Sequence, residues 1–391
     1  LHLVKSAQVL VGGARHLALV PDTAAERLPW PSPLTDGVEQ VLAHQGRRVC
    51  VLASGDPFFF GVGVTLMRHV KPEEVLCVPA PSAFSLAASR LCWDLQGCTT
   101  LSLHGRPLSR IIPHLQPGAR ILALSWDGET PGRVASLLRE RGMSQSRITV
   151  CEALGGPRER LVGATASTLQ PGPFDPLNTL AIEVVAGPGA RVLPLAPGLP
   201  DALFENDGQI TKREIRAMTL AALAPLQGQR LWDIGAGSGS VGIEWMLRHP
   251  ANRAIAIEPR PDRAARIARN ALSLGVPDLA IVEGSAPAAL PDLARPDAVF
   301  VGGGGTDPAV LDAAWAALPE GGRLVVNAVT LETQGDLMRR YQSLGGDLMS
   351  VQVARADPVG PFHGWRPAMP VVQWSVVKPW ADAREIGGDA R

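Results

Sequence analysis

The densest chemical signal in the chain is the run Asp233-Ile234-Gly235-Ala236-Gly237-Ser238-Gly239. It follows a short apolar run and precedes a helical pattern. Glycines at such a junction let the backbone turn sharply and approach a ligand closely. The helix start behind them adds unpaired N–H groups. Glu258 ends the next apolar run, where a carboxylate can grip the two hydroxyls of a ribose. A dinucleotide fingerprint needs G-x-G-x-x-G, which would put glycine at position 240. That position is Ser240, so a nicotinamide dehydrogenase is disfavoured. Glu283-Gly284-Ser285-Ala286 ends a further strand, where an adenine can rest. A plain structural turn beside a surface acid is the competing reading. The acid at the next strand end and the repeated βα pattern favour a nucleotide-type site.

A second signal is Ala53-Ser54-Gly55-Asp56-Pro57, followed by Phe58-Phe59-Phe60-Gly61. Gly-Asp-Pro is a turn signal after an apolar strand, and the glycines permit close backbone approach. Alone, a structural turn explains it equally well. Arg158, Arg160, Arg213, Arg216, Arg355 and Arg366 are candidates to hold ligand carboxylates, since guanidinium binds them bidentately. For each one a solvated surface charge is the plainer reading. Arg260, Arg263, Arg266 and Arg269 recur at helical spacing and read as an exposed face or a subunit contact. Among the histidines, His16, His104, His249 and His363 stand at suggestive places, His104 and His363 foremost. A lone His more often satisfies a local hydrogen bond. No His/Cys/Asp/Glu grouping has the spacing of a metal site, and none is expected. The cysteines Cys50, Cys77, Cys92, Cys98 and Cys151 form no C-x-x-C and read as free buried thiols in a reducing compartment.

The elements that must position these residues fall into two sets. In the first half, strands are expected at 8–11, 48–53, 74–79, 120–125, 147–152 and 179–185, with helices at 82–91 and 132–141 among them. A Pro/Gly stretch follows. It divides the chain into an α/β domain over 1–186, a linker over 187–203 and a second domain over 204–391. In the second half, Thr211-Lys212-Arg213-Glu214 has capping-box spacing and opens a helix to about 223. Strands at 230–234, 254–257, 280–283, 298–301 and 323–326 alternate with helices at 240–248, 262–272 and 308–317. The runs 349–353 and 371–377 suit an antiparallel finish on a mostly parallel, seven-stranded sheet. The Gly/Pro-rich stretch 358–370 between them reads as a lid or an irregular connection.

Composition narrows the partners. The 391 residues hold 37 Lys+Arg and 37 Asp+Glu, and a net charge of zero argues against a general nucleic-acid binder. Hydrophobic residues at 46% exclude disorder for most of the chain. No run is long and apolar enough for a membrane span. The chain starts at Leu1, in what reads as mid-domain sequence, so a preceding segment is expected.

The second half resembles the class I S-adenosylmethionine-dependent methyltransferases, with a Rossmann-like domain. Gln209-Ile-Thr211-Lys-Arg-Glu-Ile-Arg216, Trp232 to Val241, Gly284-Ser-Ala-Pro287, Val301-Gly302-Gly-Gly304 and Leu331-Glu-Thr333 look like the decarboxylating methyltransferases of the corrin pathway. That resemblance implies that Thr211, Gly235, Ala236, Gly237, Ser238, Gly239, Glu258 and Ala286 contact S-adenosylmethionine. Ser285 belongs to the same site and stands where many members carry Asp. The first half resembles the tetrapyrrole (class III) methyltransferases through Gly55-Asp56-Pro57, Val78 to Phe84, Leu103-His-Gly-Arg106, Asp127 to Pro131 and Glu152 to Arg160. The Gly-rich N-terminal loop usual there is absent. Gly55, Asp56 and Ser82 are placed near cofactor or substrate.

Both resemblances together imply a fused, cytoplasmic and homo-oligomeric enzyme. It would methylate a tetrapyrrole (precorrin) at carbons 5 and 15 and decarboxylate its ring-C acetate, without nucleic-acid or membrane partners. Methyl transfer from a sulfonium is an in-line displacement that needs positioning and exclusion of water, not a catalytic triad or a metal. No general acid for the decarboxylation is assignable. Two alternatives stand beside this reading. One is a class I methyltransferase acting on RNA or a small molecule. The other makes the first half a non-catalytic binding module.

Overall fold

The computed structural model describes residues 1–31 and 34–380. The chain divides into two compact units, Leu1–Arg106 with Pro117–Arg191, and Pro107–Gln116 with Val192–Arg391.

The first unit holds two sheets. β1 (Val9–Gly12), β2 (Glu26–Pro29) and β3 (Val49–Val51) form a parallel sheet in the order β2-β1-β3. β4 (Cys98–Ser102), β5 (Arg120–Leu124), β6 (Arg147–Glu152), β7 (Arg160–Thr165) and β8 (Asn178–Glu183) form the second, ordered β4-β5-β8-β6-β7. Only the β4–β5 pair is parallel there. The helix Ala83–Leu91 lays Phe84, Ala87 and Ala88 on Leu122, Cys151 and Ala181 of that sheet. Its Ser82 N-cap accepts the Ser85 amide at 3.1 Å, which satisfies one of the helix's orphan donors.

The stretch 74–79, expected as a strand, pairs with no strand among the described residues. A 3-10 turn, Pro72–Glu74, precedes it, and Val75, Leu76 and Val78 are exposed. Pro79 and Pro81 remove donors that a ladder needs. Of the cysteines, Cys151 is buried, while Cys92 is exposed and Cys50, Cys77 and Cys98 are partly so. The expectation of uniformly buried thiols is corrected accordingly.

The second unit holds β9 (Arg230–Ile234), β10 (Arg253–Glu258), β11 (Ala280–Glu283), β12 (Ala298–Val301), β13 (Arg323–Ala328), β14 (Asp347–Val351), β15 (Ala354–Val359), β16 (Phe362–Pro367) and β17 (Val371–Val377). All but β15 and β16 form one seven-stranded sheet, ordered β11-β10-β9-β12-β13-β17-β14. β9 to β13 run parallel, and β17 is antiparallel to both its neighbours, giving the expected antiparallel finish. β10 and β12 are almost wholly buried, as parallel strands covered on both faces must be. One core layer joins Trp232, Ile257, Val299 and Val326 to Leu311 and Leu337 of the helices Pro308–Ala317 and Leu331–Leu344.

Two local expectations are corrected here. The first-turn cap of the helix Arg213–Leu223 is Lys212, with no side-chain cap bond, so Thr211 does not cap it. The stretch 358–370 is no irregular connection. β15 and β16 pair in register from Ala354↔Pro367 to Val359↔Phe362.

Candidate functional site

Strand order reverses at the centre of the second sheet. From β9 the chain passes outward to β10 and β11, then returns to the opposite side for β12 and β13. Ligands in such sheets bind at the carboxyl ends flanking the reversal. The loops leaving β9 and β12 there are both glycine runs, Gly235–Gly239 and Gly302–Gly305. Gly235, Gly237 and Gly239 all have positive φ, at 68°, 60° and 74°. Gly235 has a second constraint: a Cβ there would lie 2.6 Å from the Gly303 Cα. A Cβ at Gly237 would meet only the Gln209 carbonyl, at 3.3 Å. Space therefore stays open on the outer side of the loop. Gln209 lies two residues before Thr211, which brings the Gln209–Thr211 segment beside the glycine loop.

Two buried acids stand at this edge. Glu258, at the end of β10, accepts the Gly237 amide at 2.8 Å and the Arg260 amide at 3.2 Å. Each carboxylate oxygen has a second lone pair, so ribose hydroxyls can still be accepted. Asp233, near the end of β9, accepts the Gly242 amide at 2.9 Å. Burial pushes its pKa up to about 7, the Gly242 bond opposes this, and the nearby Glu258 charge adds to it. Asp233 was not singled out from the sequence as a site residue. Its place two residues before the first loop glycine was the signal that could have found it.

The loop is braced from behind. Asn270 donates to the Ser238 carbonyl at 2.9 Å and exchanges bonds with the Glu205 backbone. The Ser238 hydroxyl is buried with no partner among the described residues. Ser285 is exposed and Ala286 half-buried, just past β11, where the Gly284 amide bonds to the Glu258 carbonyl. That bond is 3.2 Å long and sets the third loop against the acid. Gly235 to Gly239, Glu258, Ser285 and Ala286 thus lie on loops at one sheet edge, with Thr211 on a segment beside them. The open face at Gly237, the amides and the buried carboxylate fit a ribose-bearing ligand.

The arginine candidates fare differently. Arg216 is fully buried and committed. It bonds Glu244 at 2.5 Å, Asp201 at 3.1 Å and the carbonyls of Thr211 and Leu199, and it stacks on Phe204. It is not available to a substrate carboxylate. Arg355 pairs with Glu214, Arg366 with Asp357, Arg158 with Asp175 and Arg160 with Glu152. Arg213 donates to the Gly198 carbonyl. The arginine row on the helix Pro261–Ser273 is an ion-pair ladder within the unit. Arg263 and Arg266 reach Asp207, Arg269 reaches Glu205 and Arg260 reaches Asp262. The Arg263 and Arg266 guanidinium groups hold the Asp207 carboxyl well below the usual range.

In the first unit, the turn after β3 packs against the helix Ala83–Leu91. Gly55 has φ 61°, and a Cβ there would lie 3.0 Å from the Ser82 Cα. Gly55, Asp56 and Ser82 are therefore neighbours. Asp56 accepts the Phe58 amide at 2.8 Å, an Asx turn, and the Ser82 hydroxyl caps its helix. Phe59 and Phe60 pack edge-on against Phe84, and the Arg106 guanidinium stands 6.0 Å from the Phe60 ring. His104 and His363 are exposed on different units. His249 accepts the Ala251 amide, a local structural bond. Among the described residues no His/Cys/Asp/Glu group is arranged to hold a metal ion, and no helix is long and apolar enough to cross a membrane.

Comparison with known proteins gives three kinds of likeness. A family model described as tetrapyrrole (corrin/porphyrin) methylases matches residues 1–170, and one described as a precorrin methyltransferase domain matches residues 202–378. The chain is 56% identical over 377 residues to the precorrin-6Y C(5,15)-methyltransferase (decarboxylating) of a Sinorhizobium species, covering 96% of this chain and 91% of that protein. It is 43% identical over 380 residues to the like-named protein of Mycobacterium tuberculosis (strain CDC 1551 / Oshkosh), covering 96% and 94%. The solved C-terminal domain of precorrin-6Y C5,15-methyltransferase from Rhodobacter capsulatus shares 48% identity. It covers 48% of this chain and 100% of that one, with a TM-score of 0.46.

Proposed function

The chain belongs to the precorrin-6Y C(5,15)-methyltransferase (decarboxylating) family, and from that premise we propose that it methylates precorrin-6Y at carbons 5 and 15 and decarboxylates the ring-C acetate. The product is precorrin-8, in cobalamin biosynthesis. The likeness runs through both halves, which speaks against a lone class I enzyme with an unrelated first half. The observation that carries the reading is the glycine loop after β9 with its central amide held by Glu258.

S-adenosylmethionine, when bound, supplies the methyl group as a sulfonium. Thr211, Gly235, Ala236, Gly237, Ser238, Gly239, Glu258, Ser285 and Ala286 hold it in the second unit. The loop amides and the Glu258 carboxylate fix its orientation, and the bare Gly237 leaves it room. In the first unit Gly55, Asp56 and Ser82 face cofactor or substrate. The nucleophile is an electron-rich ring carbon, so the side chains serve to position it and exclude water. The enzyme works in the cytoplasm as a homo-oligomer, with a tetrapyrrole substrate and no nucleic-acid or membrane partner.

The test is calorimetry of S-adenosylmethionine with the full chain and with Gly237→Arg, whose side chain fills the open face of the loop. Loss of the second-unit site in the variant is expected. Unchanged binding removes the glycine loop from the reading.

A further inference from the structure

β1 and β3 lie side by side and run parallel, and the loops leaving their carboxyl ends carry the two halves of one hydrogen-bonded cluster. His16, in the short helix Ala14–Ala18 after β1, places Nε2 2.6 Å from the hydroxyl of Ser54, in the loop after β3. Arg15 donates to that hydroxyl at 2.9 Å, and its guanidinium lies 3.4 Å from the same Nε2. An arginine nitrogen is only a donor. The imidazole nitrogen facing it is therefore the unprotonated one, and the ring proton sits on Nδ1. Ser54 then accepts from Arg15 and donates to His16, so the cluster has a direction.

It also has an inside and an outside. Nδ1 is buried without a partner among the described residues, and a Cβ at Gly13 would sit 3.2 Å from it. Ser54 is exposed and directly precedes Gly55 and Asp56. The chain leaves β1 towards β2 on one side, while β3 lies on the other, and such divergence opens a crevice at the carboxyl ends. The charged group in contact with the ring is Arg15. In the facing loop Asp56 turns to the Phe58 amide. Burial first, and Arg15 second, hold the imidazole below its ordinary value, so it is neutral and free to accept a proton near neutral pH.

We propose that Ser54 and His16 are the proton acceptor for the methyl transfer of the first unit, with Arg15 as a positioning residue that sets the direction of the relay. The inference rests on the reaction proposed above. Replacing hydrogen by methyl on a bridge carbon of the macrocycle releases one proton. The methyl–sulfur bond breaks with its electron pair left on sulfur, and a ring π pair forms the new carbon–carbon bond. The C–H pair then returns to the ring as the proton leaves to the Ser54 Oγ, whose own proton passes to Nε2 of His16. The imidazolium discharges to solvent through the same hydroxyl.

The experiment uses the full chain with its tetrapyrrole substrate and S-adenosylmethionine, counting methyl groups and carbon dioxide loss by product mass. His16→Gln keeps an acceptor for Ser54 but cannot take up a proton. We expect it, and Ser54→Ala, to slow one methylation by about 10²–10⁴-fold. The other methylation and the decarboxylation should proceed at wild-type rates. The wild-type rate of the affected step should fall as pH drops through a value below the ordinary 6.5, and this dependence should vanish in His16→Gln. Nitrogen NMR of His16 gives a readout independent of turnover: an Nδ1-protonated tautomer whose pKa rises in Arg15→Gln. Two methylations at full rate in His16→Gln, or an Nε2-protonated ring, overturns the relay. A wild-type chain that adds no methyl overturns the proposed reaction itself, and this step with it.

Discussion

The Glu258 carboxylate accepts the Gly237 amide at 2.8 Å, so the acid after one strand and the glycine loop after its neighbour are a single preset structure. A hydrogen bond to a charged group contributes about 1.5–3 kcal/mol. Glu258→Ala removes that bond and the ribose acceptor together. S-adenosylmethionine affinity at the second-unit site should fall by about 100-fold or more, read by calorimetry. Glu258→Gln, which keeps one acceptor oxygen, should lose less. Equal affinity in all three proteins would show that the acid braces the loop without touching ligand.

Gly235 and Gly237 separate fold from binding. A Cβ at Gly235 meets the Gly303 backbone at 2.6 Å, whereas one at Gly237 meets a single carbonyl, at 3.3 Å. Both positions have positive φ, which costs a side chain about 1–2 kcal/mol. Gly235→Ala should therefore lower the unfolding free energy of the second unit clearly more than Gly237→Ala does. Gly237→Ala should weaken ligand binding out of proportion to its stability loss. Denaturant melts and calorimetry on the same preparations check this. Matching stability losses would mean that the Gly303 approach relaxes freely.

Most of the second unit was legible because its signals are local. The glycine loop, Glu258 and the buried strands each declare themselves within a few residues. β12 is apolar throughout and β10 is apolar from Ala254 to Ile257, and their expected bounds lie within a residue of those observed. What failed depended on distant partners. Arg216 reads as a free charge because its counter-groups, Asp201 and Glu244, lie 15 and 28 residues away. The stretch 74–79 has strand composition but no neighbour to pair with. β7 was missed because Gly163 interrupts its pattern, and the helix Leu331–Leu344 because its apolar stripe is thin. The His16–Ser54 contact spans 38 residues, and nothing in the spacing announces it.

Asp233 gives a pH signature. Its folded-state pKa is about 7 against an ordinary 3.8, chiefly through burial. Between those values the folded protein keeps a proton that the unfolded chain has released. Stability from this group is therefore fully present below about pH 3.8 and is lost as pH rises through about 7. Asp233→Asn retains an acceptor for the Gly242 amide and removes the titration. Its unfolding free energy minus that of the wild type should be near zero at pH 4 and rise to at most about 4 kcal/mol at pH 8, taking 1.36 kcal/mol per unit. A difference that stays flat with pH would place the Asp233 carboxyl at its ordinary value.

Arg216 and Glu244 form a fully buried ion pair that ties the Gly198–Phe204 segment to two helices and holds the Thr211 carbonyl. Removing one partner of such a pair leaves an uncompensated charge and costs about 3–5 kcal/mol. Arg216→Met should lower stability by that order, read from denaturant midpoints. It should also loosen the Gln209–Thr211 segment beside Gly237 and weaken S-adenosylmethionine binding. Arg216→Met with Glu244→Gln removes the stranded carboxylate while keeping an acceptor for the Gly198 and Leu199 amides. The double variant should therefore be more stable than Arg216→Met alone, although it has lost more native bonds. If it is less stable, the cost of Arg216→Met lies in the lost stacking on Phe204 and in the unmet carbonyls of Leu199 and Thr211, not in the unpaired charge.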